Sequence, residues 1–151
     1  QAETVLSCKK EINNDRALLI FNNDTYFKSI RLKSRLLSMR NQKIDGILGI
    51  FNSKDPKYSF VEIDNDDKVI RTKEKKVISN FASTGMYIFS KGSDFIKSAE
   101  YAIEKNILIK NEFYISELYN ILIKEGKKIT VDVADEFVAL GTPEDIKKFE
   151  A

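Results

Sequence analysis

The sequence predicts an α/β protein with a Rossmann-like, mostly parallel mixed sheet flanked by helices. Continuous apolar runs at residues 17–21 and 47–51 are typical of strands buried on both faces of a parallel sheet. Stretches with helical apolar periodicity separate the strand-like runs. Because the two kinds of segment alternate along the chain, we expect helices to cover the faces of one sheet.

Five segments are predicted to be helical. Residues 2–13 and 27–42 follow the expected helical pattern. A Ser cap begins a helix at residues 93–106, and a glycine ends another at residues 115–123. A Thr-Pro pair followed by two acids begins the last helix at residues 142–145.

The remaining strands are short. Residues 59–63 and 68–71 flank a polar turn, which predicts a hairpin. Further strands are predicted at residues 84–89, 128–133 and 137–140.

The composition indicates a soluble globular protein and excludes several kinds of catalysis. The 151 residues are 42% hydrophobic and 32% charged, and no apolar run is long enough to span a membrane. The net charge of +2 is too small to indicate nucleic-acid binding. Histidine is absent, which excludes Ser-His-Asp catalysis and His-ligated zinc. The single cysteine, Cys8, predicts a reducing, cytoplasmic setting, and we expect it to be a small core residue.

Asp24 is the first candidate for chemistry. It follows the most apolar predicted strand, and ligands of parallel α/β sheets bind at the carboxyl ends of strands. A carboxylate at this point can hold Mg²⁺ against phosphate oxygens, because hard cations prefer oxygen ligands. The alternative is a turn aspartate that caps the next helix.

Three further features have both a functional and a plain structural interpretation. In the functional interpretation, Glu74 accepts hydrogen bonds from hydroxyl groups and Lys75 beside it binds a phosphate. In the structural interpretation, both belong to a run of solvated charges. Gly85 permits close approach of a ligand to the backbone, or marks a bulge. The basic segment 28–43 could bind an acidic partner, or form the solvated face of a helix. The glycines match no phosphate-binding loop.

Six segments together resemble the bacterial sugar-1-phosphate nucleotidyltransferases, also called nucleoside-diphosphate-sugar pyrophosphorylases. The similarity is to the subgroup associated with capsule and surface polysaccharides, and it concerns the C-terminal two-thirds of the family's domain. The segments are residues 1–6, the N-x-D-x-Y strand end at 18–26, the D-P-K-Y-S turn at 54–59, the E-K-x-x-I-S-N segment at 74–87, N-E-F-Y at 111–114 and L-G-T-P-E-D-I at 140–146.

The resemblance implies a role for each matching residue. Asp24 would ligate Mg²⁺ between the sugar phosphate and the nucleotide, and Lys75 would neutralise the sugar phosphate. Glu74 would accept hydrogen bonds from sugar hydroxyls, and the Gly85 backbone and Glu112 would complete the sugar pocket. The implied reaction joins a sugar-1-phosphate to a nucleoside triphosphate and releases pyrophosphate.

The sequence departs from the family pattern in ways that define further expectations. The family's first strand and Gly-rich loop have no counterpart, and there is no initiator Met, so we expect residues 1–151 to be a partial domain that is inactive alone. Ala139 stands where many relatives have a second metal-binding aspartate, so either Asp135 or Glu136 substitutes for it or a single protein carboxylate serves. Asn23 and Gln1 stand where glycine is common in the family, so the sequence does not indicate which nucleotide the protein would select.

The alternative function is a non-catalytic sugar-phosphate-binding or regulatory module. A sheet that lacks its first strand would expose an edge, which predicts a homo-oligomer.

Overall fold

The computed structural model describes residues 1–150 of the chain. The order of elements within them is α1 (Ala2–Leu6), α2 (Lys9–Ile12), β1 (Leu18–Phe21), β2 (Thr25–Lys28), α3 (Leu32–Gln42), β3 (Gly46–Asn52), β4 (Ser59–Ile63), β5 (Val69–Glu74), β6 (Phe81–Phe89), α4 (Gly92–Glu104), α5 (Ile115–Lys124), β7 (Ile129–Val133), β8 (Glu136–Ala139) and α6 (Pro143–Glu150).

The main sheet is mixed and has helices on its faces, which confirms the predicted fold class. Its order is β5-β4-β6-β3-β7, and β1 also pairs with β6. Parallel pairing is less common than predicted. Strands β3 and β7 are parallel, whereas β6 pairs antiparallel with β1, β3 and β4, and β4 pairs antiparallel with β5. Strand β3 lies along one edge of β6, and β1 and β4 share the other edge. This shared edge positions the site described below.

Strand β1 is not buried on both faces as predicted. Leu19 is 60% exposed and Phe21 is 46% exposed, whereas Leu18 and Ile20 pack against the core. The strand pairs with β6, and no described strand covers its other edge. An apolar run alone does not distinguish a central strand from an edge strand whose outer face is left uncovered.

Two predicted helices begin or end differently. Residues 25–28 form strand β2, which pairs with β8, and α3 begins only at Leu32, whose N–H is accepted by the Ser29 hydroxyl. The β-branched and aromatic residues of β2 favour a strand, and its burial alternates with a period of two. The first predicted helix divides into α1 and α2 at Ser7 and Cys8. The prediction that Cys8 is a core residue is wrong, since its side chain is exposed.

The core lies mainly between the sheet and the helices α4 and α5. Tyr119, Phe89 and Phe95 are fully buried there, and the Tyr119 hydroxyl donates to the carbonyl of Ile88 at 3.0 Å. A smaller cluster around Met39 covers the opposite face beside α3. None of the helices formed by residues 1–150 is long and apolar enough to cross a membrane.

Asp132 on β7 is a buried carboxylate within the fold. It is 1% exposed, and neither side-chain oxygen has a hydrogen-bond partner among the described residues. Burial raises the pKa of Asp132, and Ser29, Arg31 and Arg35 oppose this rise. A buried polar group without a partner costs stability.

Replacing Asp132 with Val is expected to increase the free energy of unfolding at neutral pH by about 1–3 kcal/mol, because the unpaired carboxylate is removed. Thr130 is the matched control, since it lies on the same strand and face and its hydroxyl donates to the carbonyl of Asp67 at 2.9 Å. Thr130→Val should lower stability by about 1 kcal/mol. Urea denaturation measures both changes, and a destabilised Asp132→Val variant would contradict this interpretation.

Candidate active site

A cavity of about 300 Å³ opens where β1 and β4 meet beside β6. It is bounded by the turn after β1, the start of β4, the end of β5, the middle of β6, strand β8 and the start of α6. The lining residues are Gln1, Asn22, Asp24, Thr25, Lys57, Tyr58, Ser59, Glu74, Ser83, Thr84, Gly85, Tyr87, Phe137, Ala139, Gly141, Thr142 and Asp145. Three of the predicted site residues, Asp24, Glu74 and Gly85, therefore come together here.

Gly85 lies at an irregularity in β6 and has a left-handed φ of 84°. Its carbonyl accepts the N–H of Asn22 at 3.1 Å, which ties the turn after β1 to β6. A Cβ at this position would lie 2.6 Å from the Asn22 Nδ2 atom. The group that lies close to the Gly85 backbone is thus Asn22, a residue of the protein itself. The bulge, which was the structural alternative for Gly85, is present.

Glu74 is the buried acid of the cavity, at 8% exposure. Its Oε2 atom accepts hydrogen bonds from the hydroxyls of Ser59 and Ser116, the latter at 3.1 Å. Burial raises the pKa of Glu74, and the two serine hydrogen bonds and Lys75 counter part of that rise. The Tyr87 hydroxyl lies in the same environment, where burial raises its pKa. Hydroxyl groups therefore surround this carboxyl on the cavity floor.

Helix α5 fixes the position of Glu74. Glu117 Oε1 accepts the backbone N–H of Glu74 at 2.9 Å, and Glu117 Oε2 accepts from Asn120 at 2.8 Å. Sequence reasoning missed Ser59, Ser116 and Glu117. The helical periodicity of α5 identified its apolar stripe only, since polar residues on a buried face give no signal until their strand partners are known.

Asp24 lies on the exposed turn between β1 and β2. Its carbonyl accepts the N–H of Leu140 at 2.8 Å, and its Oδ2 atom is 3.5 Å from the position that a Cβ on Gly141 would occupy. The β2–β8 pairing places Thr25 opposite Ala139, so Ala139 also faces the region of Asp24. The glycine leaves room around the Asp24 carboxylate for a ligand.

The carboxylates suggested as replacements at Ala139 are placed elsewhere. Asp135 accepts the N–H of Ile30 at 2.8 Å, and neither it nor Glu136 lines the cavity. Asp145 lines it instead, and its Oδ2 atom accepts from the Thr142 hydroxyl at 2.8 Å. The sequence identified Asp145 only as an acid in the first turn of α6.

No group of three or more carboxylate or thiolate side chains in residues 1–150 is arranged to hold a metal ion. Mg²⁺ does not need such a group, because it commonly binds one or two carboxylates together with waters and substrate phosphates. The exposed Asp24 carboxylate beside Gly141 fits that type of site.

Lys75 and Glu112 do not line the cavity. The Lys75 ammonium donates to the Tyr114 hydroxyl at 2.8 Å and lies 5.0 Å from the centre of its ring. This hydrogen bond is the main cause that raises the pKa of Lys75, and the nearby charge of Glu112 adds to it. Glu112 is exposed on the loop before α5, where it pairs with Ile109. The two residues are neighbours outside the cavity.

The pH dependence of stability tests the environment of Glu74. Its pKa in the folded state is above the ordinary value of 4.5, so the folded state binds this proton more tightly. Stability should therefore decrease as the pH rises from that value through the raised pKa. Glu74→Gln is expected to weaken this decrease above pH 4.5, the ordinary pKa of the carboxyl, in urea denaturation. Glu11→Gln, an exposed control, should follow the wild type, and a steeper dependence in Glu74→Gln would contradict the assignment.

Comparisons with known proteins show the family of the chain and agree with its fold. A model of the nucleotidyl transferase family matches residues 1–146. A nucleoside-diphosphate-sugar pyrophosphorylase from Vibrio cholerae RC9 has 29% sequence identity and a TM-score of 0.81, over 99% of this chain and 64% of that chain. No curated protein sequence is significantly similar to the chain.

A second solved structure supports the fold alone. It is a protein described as a glucose-1-phosphate thymidylyltransferase from Bacillus anthracis, in complex with a sucrose, with 19% identity and a TM-score of 0.77. The likeness covers 98% of this chain and 58% of that chain, so the chain spans less than two-thirds of either protein. Since the family model matches almost the entire sequence, the chain belongs to the nucleotidyl transferase family.

Proposed function

We propose that the protein is a sugar-1-phosphate nucleotidyltransferase, which transfers a nucleotidyl group from a nucleoside triphosphate to a sugar-1-phosphate and releases pyrophosphate. The observation that carries the proposal is the convergence of Asp24, Glu74 and Gly85 on one cavity from three separate segments. Membership of the family and the similarity to a sugar pyrophosphorylase support it. Because those relatives are longer, the activity of the complete protein is part of the proposal.

Glu74 is proposed to recognise sugar hydroxyls. The serine hydroxyls engage Oε2, which leaves Oε1 as an acceptor for a ligand. Burial raises the pKa of Glu74, so this carboxyl is partly shielded from water, where a hydrogen bond to a ligand is stronger than in bulk solvent. The Gly85 carbonyl, which can accept a second hydrogen bond beside that from Asn22, is proposed to complete the sugar end together with Glu112 from the loop before α5.

Asp24 is proposed to hold Mg²⁺, which when bound would neutralise charge on the phosphates. Lys75 is proposed to neutralise the sugar phosphate after its flexible side chain turns from Tyr114 towards the cavity. The reaction is an in-line attack of a phosphate oxygen on the α-phosphorus of the nucleotide. Positioning and charge neutralisation dominate such transfers, which suits a chain without histidine.

Pyrophosphate release tests the proposal directly. The full-length protein should release pyrophosphate only when a nucleoside triphosphate and a sugar-1-phosphate are both present, together with Mg²⁺. A panel of hexose 1-phosphates against the common nucleoside triphosphates also identifies the sugar and the base. Absence of turnover with every pair would refute the enzymatic function.

A non-catalytic sugar-phosphate-binding or regulatory module is the second candidate, and Ala139 favours it. Ala139 lines the cavity, and the resemblance implies a second metal-binding aspartate at this position. This candidate predicts that hexose 1-phosphate binds without any pyrophosphate release. Turnover by the full-length protein would exclude it.

The wider biological role is also proposed. The D-P-K-Y-S and N-E-F-Y segments support a function in surface-polysaccharide precursor synthesis in the cytoplasm.

The uncovered edge of β1, with exposed Leu19 and Phe21, supports self-association of the chain. Light scattering of the isolated chain would show a dimer or larger species, and a monodisperse monomer would contradict self-association.

A further inference from the structure

We propose that Lys57 is an anion-binding residue of the cavity and contacts the phosphate group of the bound sugar-phosphate. The inference rests on the proposed function and adds a residue to which the family resemblance assigned no role. Among the described residues that line the cavity, Lys57 is the single lysine or arginine. The cavity otherwise presents the carboxyl groups of Asp24, Glu74 and Asp145. A phosphate entering it needs a cation, and Lys57 provides one.

An aromatic cluster holds the segment that carries Lys57. The rings of Phe51 and Phe137 stack at 3.7 Å, and the Tyr58 ring meets both edge-on at 5.1 and 5.9 Å. The Lys57 ammonium lies 5.0 Å from the centre of the Tyr58 ring. The Lys57 N–H also donates to Asp55 Oδ1 at 3.0 Å. The backbone of Lys57 is thus fixed at the cavity, while its side chain keeps the freedom to meet a ligand.

The charge of Lys57 is available to a ligand. Contact with Tyr58 is the main cause that raises its pKa, and Asp55 and Asp145 contribute, so the side chain stays protonated at physiological pH. Its ion pair with Asp55 spans 3.5 Å, and both side chains are about half exposed. Exposed ion pairs of this kind stabilise little, so an incoming phosphate can replace Asp55 as the partner.

The neighbouring strand explains how Lys57 and Lys75 can act on one ligand. The N–H of Lys75 donates to the carbonyl of Tyr58 at 3.0 Å, so the two lysines lie on adjacent chain segments. Lys57 lines the cavity, whereas Lys75 is bound to Tyr114 outside it. Lys57 therefore meets the phosphate first, and Lys75 can add a second contact from the side of β5.

Calorimetric titration tests the inference. The protein is titrated with the 1-phosphates of glucose, mannose and galactose, with the three free hexoses and with inorganic phosphate. Lys57→Met is expected to weaken binding of the hexose 1-phosphate by about tenfold or more, because a charge-assisted hydrogen bond is lost. Lys57→Arg should restore most of the affinity. Lys54→Met is the matched control, since Lys54 is exposed on the same loop and does not line this cavity.

Each remaining outcome overturns the inference. Lys57→Met could bind the hexose 1-phosphates with wild-type affinity, which would exclude a contact with the phosphate. The variant could also lose affinity for the free hexoses as much as for the 1-phosphates, which would indicate that Lys57 only shapes the cavity. Wild-type protein that binds neither the 1-phosphates nor inorganic phosphate would also refute it. Failure of the proposed function is seen separately, as absence of pyrophosphate release while the dependence of binding on Lys57 persists.

Discussion

Asp24→Asn is expected to lower kcat/KM of the full-length protein by about a thousandfold, which corresponds to ~4 kcal/mol of lost transition-state stabilisation. The neutral amide keeps the shape of the turn but no longer neutralises a hard cation. The backbone carbonyl of Asp24 still accepts the N–H of Leu140, so the fold should be retained. Pyrophosphate release at several Mg²⁺ concentrations measures the effect, and part of the loss should appear as weaker apparent Mg²⁺ affinity.

Asp15→Asn is the control for this change. Asp15 is a highly exposed carboxylate just before β1, its ion-pair partner Lys91 is also on the surface, and it does not line the cavity. Its replacement should leave kcat/KM within about twofold. If Asp24→Asn kept full activity, the proposed metal-binding role of Asp24 would be wrong, while the sugar end of the site could still be tested through Glu74.

Gly85→Ala is expected to lower the free energy of unfolding by about 2–4 kcal/mol and to disturb the cavity. The left-handed φ of 84° strains any residue with a Cβ. The added Cβ would also lie 2.9 Å from the Cβ of Asn22, and the Asn22 backbone is held by its hydrogen bond to the Gly85 carbonyl. Relief of this overlap should move the turn that carries Asp24, so ligand affinity should fall together with stability.

Gly126 offers a control with almost the same backbone conformation. Its φ is 82°, but no atom lies within 4 Å of the position that a Cβ would occupy. Gly126→Ala should therefore cost only the conformational strain, about 1 kcal/mol. Urea denaturation of both variants separates strain from overlap. Equal costs would show that Asn22 moves away freely and that Gly85 does not hold the turn.

The order of elements could be predicted from the sequence because it depends on local periodicity and end signals. The stripe of α5, the start of α6 and the β4–β5 hairpin all carry such signals, and the structure contains each of them. Strand β2 was missed because its pairing partner, β8, is distant in the sequence. The direction of pairing along β6 was missed for the same reason, since apolar content does not encode orientation.

The candidate site was predicted in part. Asp24, Glu74 and Gly85 were recognised because they lie in motifs at the ends of elements or at a bulge, and the structure brings them together. Lys57 lies in the D-P-K-Y-S segment, but the sequence alone did not indicate a role for it, because its position beside Tyr58 and Phe137 depends on tertiary packing. The position of Lys75 against Tyr114 also depends on a rotamer that local sequence does not specify.

The ribbon of β2 and β8 has a consequence for folding. It joins Thr25 to Ala139, so the wall of the cavity forms only when distant parts of the chain have met. Contacts of such high sequence separation form slowly, and an isolated two-stranded ribbon has little stability of its own. A ligand that contacts both Asp24 and the opposite wall would bind only the form in which β2 and β8 are paired. It would therefore stabilise this pairing by mass action and protect the ribbon from local opening.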